Sequence, residues 1–254
     1  MLGHTPRFIS AAGRDAQGDK ILRCMLQNKL STESIQRNEY QTGIVEVSIV
    51  DDEPQYQILP NQAFDHIDFR QLSTATTNPA ILYHGSLCWR NSVSRQTLIK
   101  LRDSISVPVF VDLNIRQPWF DAEWLPEILS GITILKLNKD ELKTIADLEF
   151  ASKAKSIEDA AIAIRQKYKI NQLWVTSGSA GAWLFSEDDS FSFEPAPTVE
   201  RFVDAVGAGD AFSSFVINGF LKGMTAEETL KQAVRFAAKI CQIQGATSED
   251  RAVY

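Results

Sequence analysis

Cysteine and histidine are scarce in this chain, since each occurs only three times in 254 residues. The cysteines are scattered, their number is odd and no C-x-x-C pair occurs, which argues against a disulfide framework and a zinc site. The histidines show no metal-ligand spacing, so no histidine-based metal site is expected. Reduced thiols in a cytoplasm are the plain interpretation. The six residues are Cys24, Cys88, Cys241, His4, His66 and His84.

The chain also lacks any run of Lys or Arg, and its net charge is −6 with a sequence pI of about 5.2. Nucleic acid is therefore not an expected partner. No apolar run reaches the length of a membrane span, and the first ten residues lack the apolar stretch of a signal peptide. These absences predict a soluble cytoplasmic protein with no membrane partner.

What the chain does contain is a regular alternation of apolar strands and amphipathic helices. Apolar runs such as 107–111 and 172–176 are separated by helical patterns such as 157–168. Phe8 and Ile9 read as the end of a strand, and residues 121–129 read as a helix. Strands that are buried on both faces read as unbroken apolar runs, so this alternation predicts a parallel sheet covered by helices. We expect residues 1–254 to form one α/β domain.

One early segment, residues 44–59, reads as a β-hairpin. Val45, Val47 and Ile49 alternate with polar residues, DDEP is a turn, and QYQIL follows as a partner strand. We expect this hairpin, within residues 35–60, to project from the domain as a lid.

The segment Gly-Ala-Gly-Asp at 207–210 carries the main chemical signal. A helical pattern follows it at once, and glycines at a helix start leave backbone N–H groups open to an anion such as phosphate. Asp210 would accept a proton from a hydroxyl, while the amides would stabilise charge on a transferring phosphoryl group. Taken alone, the segment slightly favours the alternative of a tight turn with a dipole-compensating Asp. No P-loop motif occurs.

Residues 204–212, D-A-V-G-A-G-D-A-F, resemble the second signature of the PfkB (ribokinase-like) sugar kinases, D-T-x-G-A-G-D-x-F. The resemblance implies a ribokinase-like three-layer sandwich with a mainly parallel central sheet and a small β-hairpin lid. It also implies that Asp210 is the catalytic base. The implied anion hole consists of the amides of Gly207, Ala208, Gly209 and Asp210.

The same signature extends to Asp204, which matches an Asp that lies beside a monovalent-cation site in the family. A turn or capping role is the alternative for this residue. The family's usual Thr is Ala205 in this chain, so any role of the Thr hydroxyl is absent here. Gly13, Asp15 and Gly18 match the family's G-x-D-x-x-G, which is mostly structural.

Asn138 and Glu141 follow a strand and resemble the family's N-x-x-E, which acts near Mg²⁺ and the ATP phosphates. Asn and Glu suit a hydrated Mg²⁺ that they hold through its waters. Without the family, a helix N-cap by Asn138 is the better interpretation.

Thr176, Gly178 and Gly181 resemble T-x-G-x-x-G, a loop that borders the nucleotide in the family. Its glycines would let ATP approach the backbone closely, and Gly209 is expected to contact ATP as well. An ordinary strand-to-strand turn is a comparable alternative for residues 176–181.

Residues 112–116, D-L-N-I-R, resemble the D-x-N-x-R segment of fructokinase-type members. They end a buried strand, where ligands of open α/β sheets gather. Arg116 would pair with an ATP phosphate, and Asn114 is a candidate contact for substrate or phosphate. A surface Arg is an even alternative. His84 is a candidate sugar contact, although a core or rim histidine is the favoured interpretation.

The resemblance covers nearly the whole chain but begins late. Family members carry a first strand, a G-G-x-x-x-N segment and a first helix before the point that matches Leu2-Gly3. Those parts supply a substrate-binding Asp and Asn. Either the first Met is internal to a longer protein, or the product is short and is a weakened kinase or an inactive relative.

The resulting prediction is an ATP-dependent carbohydrate kinase, fructokinase-like, that uses Mg²⁺ and a monovalent cation such as K⁺. The alternatives are a non-catalytic nucleotide-binding remnant, or a related kinase that acts on a nucleoside or a sugar phosphate. Lids in the family often pair two subunits, so a homodimer is expected.

Overall fold

The computed structural model describes residues 3–50, 53–72, 78–150 and 156–245, without the side chains of 47–50 and 53–56. Contacts within the chain divide it into two compact units. The smaller unit comprises Thr5–Asn78 and Leu87–Ser106; the larger comprises Met1–His4, Pro79–Ser86 and Val107–Tyr254. Every candidate site residue named above belongs to the larger unit.

The smaller unit combines a parallel strand pair, a hairpin and two helices. In chain order its elements are β1 (Ser10–Gly13), α1 (Ala16–Gln27), β2 (Ile35–Asn38), β3 (Val45–Val50), β4 (Glu53–Ile58) and α2 (Ser92–Ser104). β1 and β2 pair in parallel, whereas β3 and β4 pair antiparallel. The hairpin predicted for 44–59 is confirmed, and residues 35–38 pair with β1 rather than with the hairpin. The turn at 51–52 and the side chains of Val47 and Ile49 lie outside the described residues.

Asp15 fixes the start of α1 and accounts for the local G-x-D-x-x-G motif. Its carboxylate accepts hydrogen bonds from the amides of Gly18 and Thr42 and from the Thr42 hydroxyl, at 2.7–2.8 Å. These donors lower the pKa of Asp15 to about 2. The strand before it begins at Ser10, after the Phe8-Ile9 pair that the sequence marked as a strand end. The large apolar Phe8 misled that prediction, since its side chain is exposed.

The larger unit is built on a six-stranded mixed sheet. Its elements are β5 (Leu82–His84), β6 (Val109–Asp112), α3 (Leu125–Leu129), β7 (Ile134–Asn138), α4 (Lys139–Phe150), α5 (Ile157–Tyr168), β8 (Gln172–Thr176), β9 (Gly181–Phe185), β10 (Phe191–Pro195), α6 (Ala208–Lys222) and α7 (Ala226–Ile240). The strand order is β5-β6-β7-β8-β9-β10, with β5 to β8 parallel and β9 and β10 antiparallel to their neighbours. The predicted α/β fold with a mainly parallel sheet is confirmed. The helix expected from Asp121 instead opens with a 3₁₀ turn, Ala122–Trp124, and becomes α-helical at Leu125.

Both faces of β6, β7 and β8 are buried, which explains the unbroken apolar strands in the sequence. On one face, side chains of α6 and α7 form a cluster with Phe110, Ile134, Trp174 and Leu184. Alternate strand residues such as Leu135 point to the opposite face and are also fully buried, and α4 and α5 contact β7 and β8. Among the described residues, no helix has the length and apolarity that crossing a bilayer demands.

A buried ion pair in the smaller unit anchors the chain that follows the hairpin. Arg90 donates from Nε and Nη2 to the two carboxylate oxygens of Asp65, each at 2.7 Å. Nη2 also donates to the carbonyl of Leu59 at 2.8 Å. Both charged side chains are almost completely buried, so each depends on the other for compensation.

We expect Asp65→Asn to lower the free energy of unfolding by about 3–5 kcal/mol, because the buried Arg90 then loses the negative charge that Asp65 provides. Glu39→Gln, which breaks the exposed Arg14–Glu39 pair, should change it by less than about 1 kcal/mol. Urea unfolding followed by circular dichroism measures both. Similar, small effects of the two substitutions would contradict the anchoring role.

Candidate active site

Helix α6 begins with a turn that presents backbone amides. Gly207 is the N-cap and adopts φ 82° and ψ −7°, a left-handed conformation that glycine enters without steric cost. Its carbonyl accepts from the amide of Ala211 at 2.8 Å, which closes the first helical turn. Helix geometry provides no intrahelical acceptor for the amides of Gly209 and Asp210. Residues 207–210 are half-buried or exposed, so an anion can reach this turn.

Asp210 lies in this turn among charged groups of both signs. Burial of the carboxyl and the nearby negative charge of Asp112 raise its pKa, while the positive charges of Lys136 and Arg116 oppose the rise. A raised pKa makes a carboxylate a better acceptor for a hydroxyl proton. The residue also keeps exposed surface, so an alcohol can approach it.

Asp112 and Lys136 form a buried ion pair beneath the start of α6. Lys136 Nζ donates to the two carboxylate oxygens of Asp112 at 3.0 and 3.2 Å, and both side chains are at least nine-tenths buried. Ser213, on α6, donates its hydroxyl to the same carboxylate at 2.7 Å. Sequence reasoning missed Lys136 and Ser213. The available signal was a single charge inside the apolar strand ITILKL.

Of the neighbouring β5 residues Tyr83 and His84, it is Tyr83 that contacts the ion pair beneath α6. His84 is buried, and its Nδ1 lies 3.0 Å from the Gly85 carbonyl oxygen, which agrees with a core or rim histidine. Tyr83 instead donates its phenol to Asp112 at 3.4 Å. Burial and the charges of Asp112 and Asp210 raise the pKa of the Tyr83 phenol. Tyr83 was not among the predicted residues, because nothing in the sequence separates it from its neighbour.

Asn114 and Arg116 lie in the exposed loop that follows β6. Asn114 adopts φ 48°, a left-handed conformation that Asn tolerates better than most residues, and its carbonyl accepts from the Ser86 hydroxyl at 3.4 Å. The positive charge of Arg116 acts on Asp210. The loop therefore brings a guanidinium to the side of the sheet where α6 begins.

Asn138 and Glu141 form a reciprocal cap at the start of α4. The Asn138 side-chain oxygen accepts from the Glu141 amide, and the Glu141 carboxylate accepts from the Asn138 amide, both at 2.8 Å. The other Glu141 oxygen accepts from the Ile115 amide at 2.8 Å. Burial raises the pKa of Glu141, and these amide donors partly offset it. Asn138 therefore caps α4, as the alternative interpretation of the sequence predicted.

The same pair fits a hydrated Mg²⁺ better than a directly ligated one. Among the described residues, no group of three or more His, Cys, Asp or Glu side chains is placed to hold a metal ion. Asn138 is exposed, whereas Glu141 is buried and accepts hydrogen bonds from two backbone amides. Their oxygens keep lone pairs that accept from metal-bound waters, the mode in which Mg²⁺ is commonly held.

The two glycines of the 176–181 loop have different roles in the fold. Gly181 has φ 125°, and a Cβ atom there would lie 2.1 Å from the Glu194 carbonyl oxygen, so the pairing of β9 with β10 requires glycine. Gly178 is exposed, with open space around it, and is the glycine that a nucleotide can approach. Thr176 ends β8, and its hydroxyl donates to the Leu137 carbonyl at 3.4 Å.

Asp204 connects the segment before α6 with the chain after α7. One carboxylate oxygen accepts from the Val206 amide at 2.9 Å, and the other accepts from the Gly245 amide at 3.2 Å. This is the turn or capping role that the sequence left open.

The sheet brings most of the predicted residues to one edge. Asn138 and Thr176 are register partners at the carboxyl ends of β7 and β8, and residues 113–116 follow β6, which ends at Asp112. Ligands of open α/β sheets bind at such an edge. Buried His84 and Gly181, by contrast, present little surface there.

The comparisons with known proteins agree with this architecture. The family model of pfkB family carbohydrate kinases matches residues 1–252. An uncharacterized sugar kinase of Archaeoglobus fulgidus is 25% identical over 253 residues, which cover 96% of this chain and 94% of that protein.

Solved structures share the fold at lower identity. A fructokinase from Xylella fastidiosa with bound ATP has a TM-score of 0.82 and 20% identity, over 97% of this chain and 81% of that chain. A ribokinase-like kinase from E. coli, described as a putative ribokinase II in complex with ATP and Mg²⁺, has a TM-score of 0.82 and 19% identity, over 96% and 79%. The ribokinase-like fold expected from the 204–212 signature is therefore confirmed, and the chain belongs to the pfkB family of carbohydrate kinases.

Proposed function

We propose that this protein is an ATP-dependent carbohydrate kinase, fructokinase-like, which transfers the γ-phosphoryl group of ATP to a hydroxyl of a sugar. The observation that carries the proposal is the 207–210 turn. It combines accessible amides, the positive end of α6 and the Asp210 carboxylate within one turn. Phosphoryl transfer needs an anion cradle and a proton acceptor in this proximity.

In the proposed reaction, Asp210 accepts the proton of the sugar hydroxyl as that oxygen bonds to the γ-phosphorus. The amides of Gly209 and Asp210 stabilise the negative charge that develops on the transferring group, with Gly207 and Ala208 completing the anion hole. Arg116 contributes a positive charge on the same side. The phosphorus–oxygen bond to ADP breaks, so ADP leaves with the bonding electrons.

Asn138 and Glu141 would hold Mg²⁺ through its waters, and the ion would offset charge on the ATP phosphates when bound. Thr176 and Gly178 would border the nucleotide, with Gly209 against its phosphates. Gly181 would support this loop through its strand pairing. Water must be excluded during transfer, because hydrolysis of ATP competes with the sugar.

The resemblance of the D-L-N-I-R loop to fructokinase-type members supports a ketose as the acceptor. Asn114 is exposed beside Arg116 and is the better placed candidate for a sugar or phosphate contact. His84 is buried, so its part is support of that edge rather than direct recognition.

Four further expectations from the sequence stay predictions: a homodimer, a monovalent-cation site beside Asp204, a lid role for the 45–58 hairpin, and a cytoplasmic location. The Asp204 carboxylate contributes the negative charge that a cation site requires, although both of its oxygens already accept amides. The hairpin itself is present in the smaller unit.

We expect ADP release from ATP in the presence of D-fructose. The same assay is run with D-ribose and with adenosine for comparison. Asp210→Asn should reduce turnover by about 10²–10⁴-fold, because the proton acceptor is lost. Asp103→Asn, on exposed surface of the smaller unit, is the matched control and should keep full activity. Wild-type turnover that survives in Asp210→Asn would refute the role of Asp210.

Calorimetric titration with ATP, compared with the turnover assay, distinguishes a kinase from a non-catalytic nucleotide-binding protein. ATP binding without phosphorylation of any acceptor would favour a non-catalytic nucleotide-binding protein. Preferred turnover of adenosine, or of fructose 6-phosphate tested alongside, would instead favour the nucleoside or sugar-phosphate alternative.

Asp210→Asn should also stabilise the fold at neutral pH. The folded-state pKa of Asp210 lies above its ordinary value of 3.8, so its contribution to stability is complete below that value and is lost as pH rises through the folded pKa. Asn carries no charge, so the variant does not lose this stability as pH rises. Thermal unfolding at pH 7 should show a higher Tm for Asp210→Asn, and the gain should shrink as pH approaches 4. A lower Tm at pH 7 would show that the ionised Asp210 carboxylate does not destabilise the folded state.

Asn138→Ser should separate the cap of α4 from the proposed metal role. Ser caps helices about as well as Asn, so the unfolding midpoint should stay close to that of the wild type. The Mg²⁺ concentration that gives half-maximal activity should rise roughly tenfold or more, as for other groups that support a metal site. Asn171→Ser, the same substitution at an exposed residue outside the proposed site, is the control and should leave the Mg²⁺ dependence unchanged. An unchanged Mg²⁺ dependence would remove Asn138 from the proposed site.

A further inference from the structure

A buried ion pair lies directly under the proposed catalytic turn. Asp112 on β6 and Lys136 on β7 are register partners, so their side chains lie side by side on one face of the sheet. Phe110 and Ile134 precede them by two residues on the same strands and belong to the cluster that packs against α6 and α7. The pair therefore lies on the face that α6 covers.

The location is unfavourable for charges, because the surrounding cluster is apolar. Removing a carboxylate and an ammonium from water costs several kcal/mol for each ion, and an apolar pair of similar volume is often at least as stable. The pair is also not isolated, since Ser213 and Tyr83 donate hydrogen bonds to Asp112. Stability alone is thus a weak reason for a salt bridge at this point.

The pair contacts α6 on both sides of Asp210. Lys136 Nζ lies so close to Gly209 that an added Cβ there would be 3.3 Å away. Three residues after Asp210, the Ser213 hydroxyl donates to Asp112 at 2.7 Å. The pair therefore lies against the helix start at the residue before Asp210 and is hydrogen-bonded to the helix one turn later.

We propose that Lys136 and Asp112 are positioning residues, which fix the first turn of α6 so that the Asp210 carboxylate and the Gly209 amide keep their catalytic geometry. This proposal rests on the kinase function proposed above. Lys136 holds the turn by contact at Gly209, and Asp112 holds Lys136 and Ser213 in place.

The electrostatic environment of Asp210 supports the same assignment. Asp112 raises the pKa of the Asp210 carboxyl and Lys136 lowers it, while Arg116 from the neighbouring loop also lowers it. Tyr83 faces the same carboxyl and stays neutral, because its own pKa is raised. The two members of the ion pair thus act on Asp210 with opposite sign.

The test uses Lys136→Met, Asp112→Asn and the double variant, with Lys143→Met on the exposed face of α4 as the matched control. Each single variant should unfold more easily than the wild type, because one buried group loses its partner. The double variant is neutral and keeps an acceptor for Ser213, so its unfolding midpoint should return close to the wild-type value. Its kcat should still fall about tenfold to a hundredfold, with a smaller change in the KM for ATP, because the turn is no longer fixed.

A second readout is the pKa of the Asp210 carboxyl, followed by NMR of protein labelled with carboxyl-¹³C aspartate and assigned through Asp210→Asn. Lys136→Met should raise this pKa, and Asp112→Asn should lower it. These opposite shifts test whether the pair lies against Asp210, and the loss of kcat in the refolded double variant tests the positioning role. The double variant keeps the test available where a single variant does not fold.

Wild-type kcat in the double variant, or an Asp210 titration that is unchanged in the single variants, would overturn the assignment. The NMR readout requires no turnover. A wild-type protein that phosphorylates no acceptor but shows the opposite shifts would therefore contradict the kinase function while leaving the placement of the ion pair against Asp210 supported.

Discussion

The candidate site depends on how the start of α6 meets the carboxyl ends of the sheet strands. Gly207 turns the chain with a positive φ, and the next residues enter the helix with amides that have no intrahelical acceptor. The helix dipole adds positive potential at the same point. Asp210 is placed within that potential, so the proposed proton acceptor and the proposed anion cradle share one turn. The other site residues contribute only because the sheet brings them to this edge.

The sheet does this through register. Asn138 and Thr176 are partners on adjacent strands, and so are Asp112 and Lys136. Parallel pairing therefore brings motifs that are far apart in sequence together near the carboxyl ends of these strands. The apolar cluster beneath α6 packs against one face of the same strands. Burial of a charged pair within this packing is costly and is balanced by hydrogen bonds from Ser213 and Tyr83.

Local signals in the sequence were sufficient for the elements and for the motifs that open helices. The 44–59 hairpin, the strand at 172–176 and the helix at 157–168 follow directly from apolar periodicity, and the helix start at 207 follows from its glycines. Lys136 and Ser213 were not predictable, because their meaning arises from contacts with Asp112 at separations of 24 and 101 residues. Local sequence patterns do not show which residues of different strands lie side by side. They therefore could not indicate that Tyr83, rather than His84, contacts Asp112. The strand expected at Phe8-Ile9 failed for a related reason, since an apolar side chain does not show whether it is buried.

A crystal structure with ADP, Mg²⁺, an aluminium fluoride transition-state analogue and a sugar acceptor would test the central claim most directly. The account predicts that the fluoride group binds within hydrogen-bond distance of the amides of Gly209 and Asp210, with the acceptor hydroxyl against the Asp210 carboxylate. A fluoride group bound elsewhere, with the 207–210 amides turned away from it, would contradict the account.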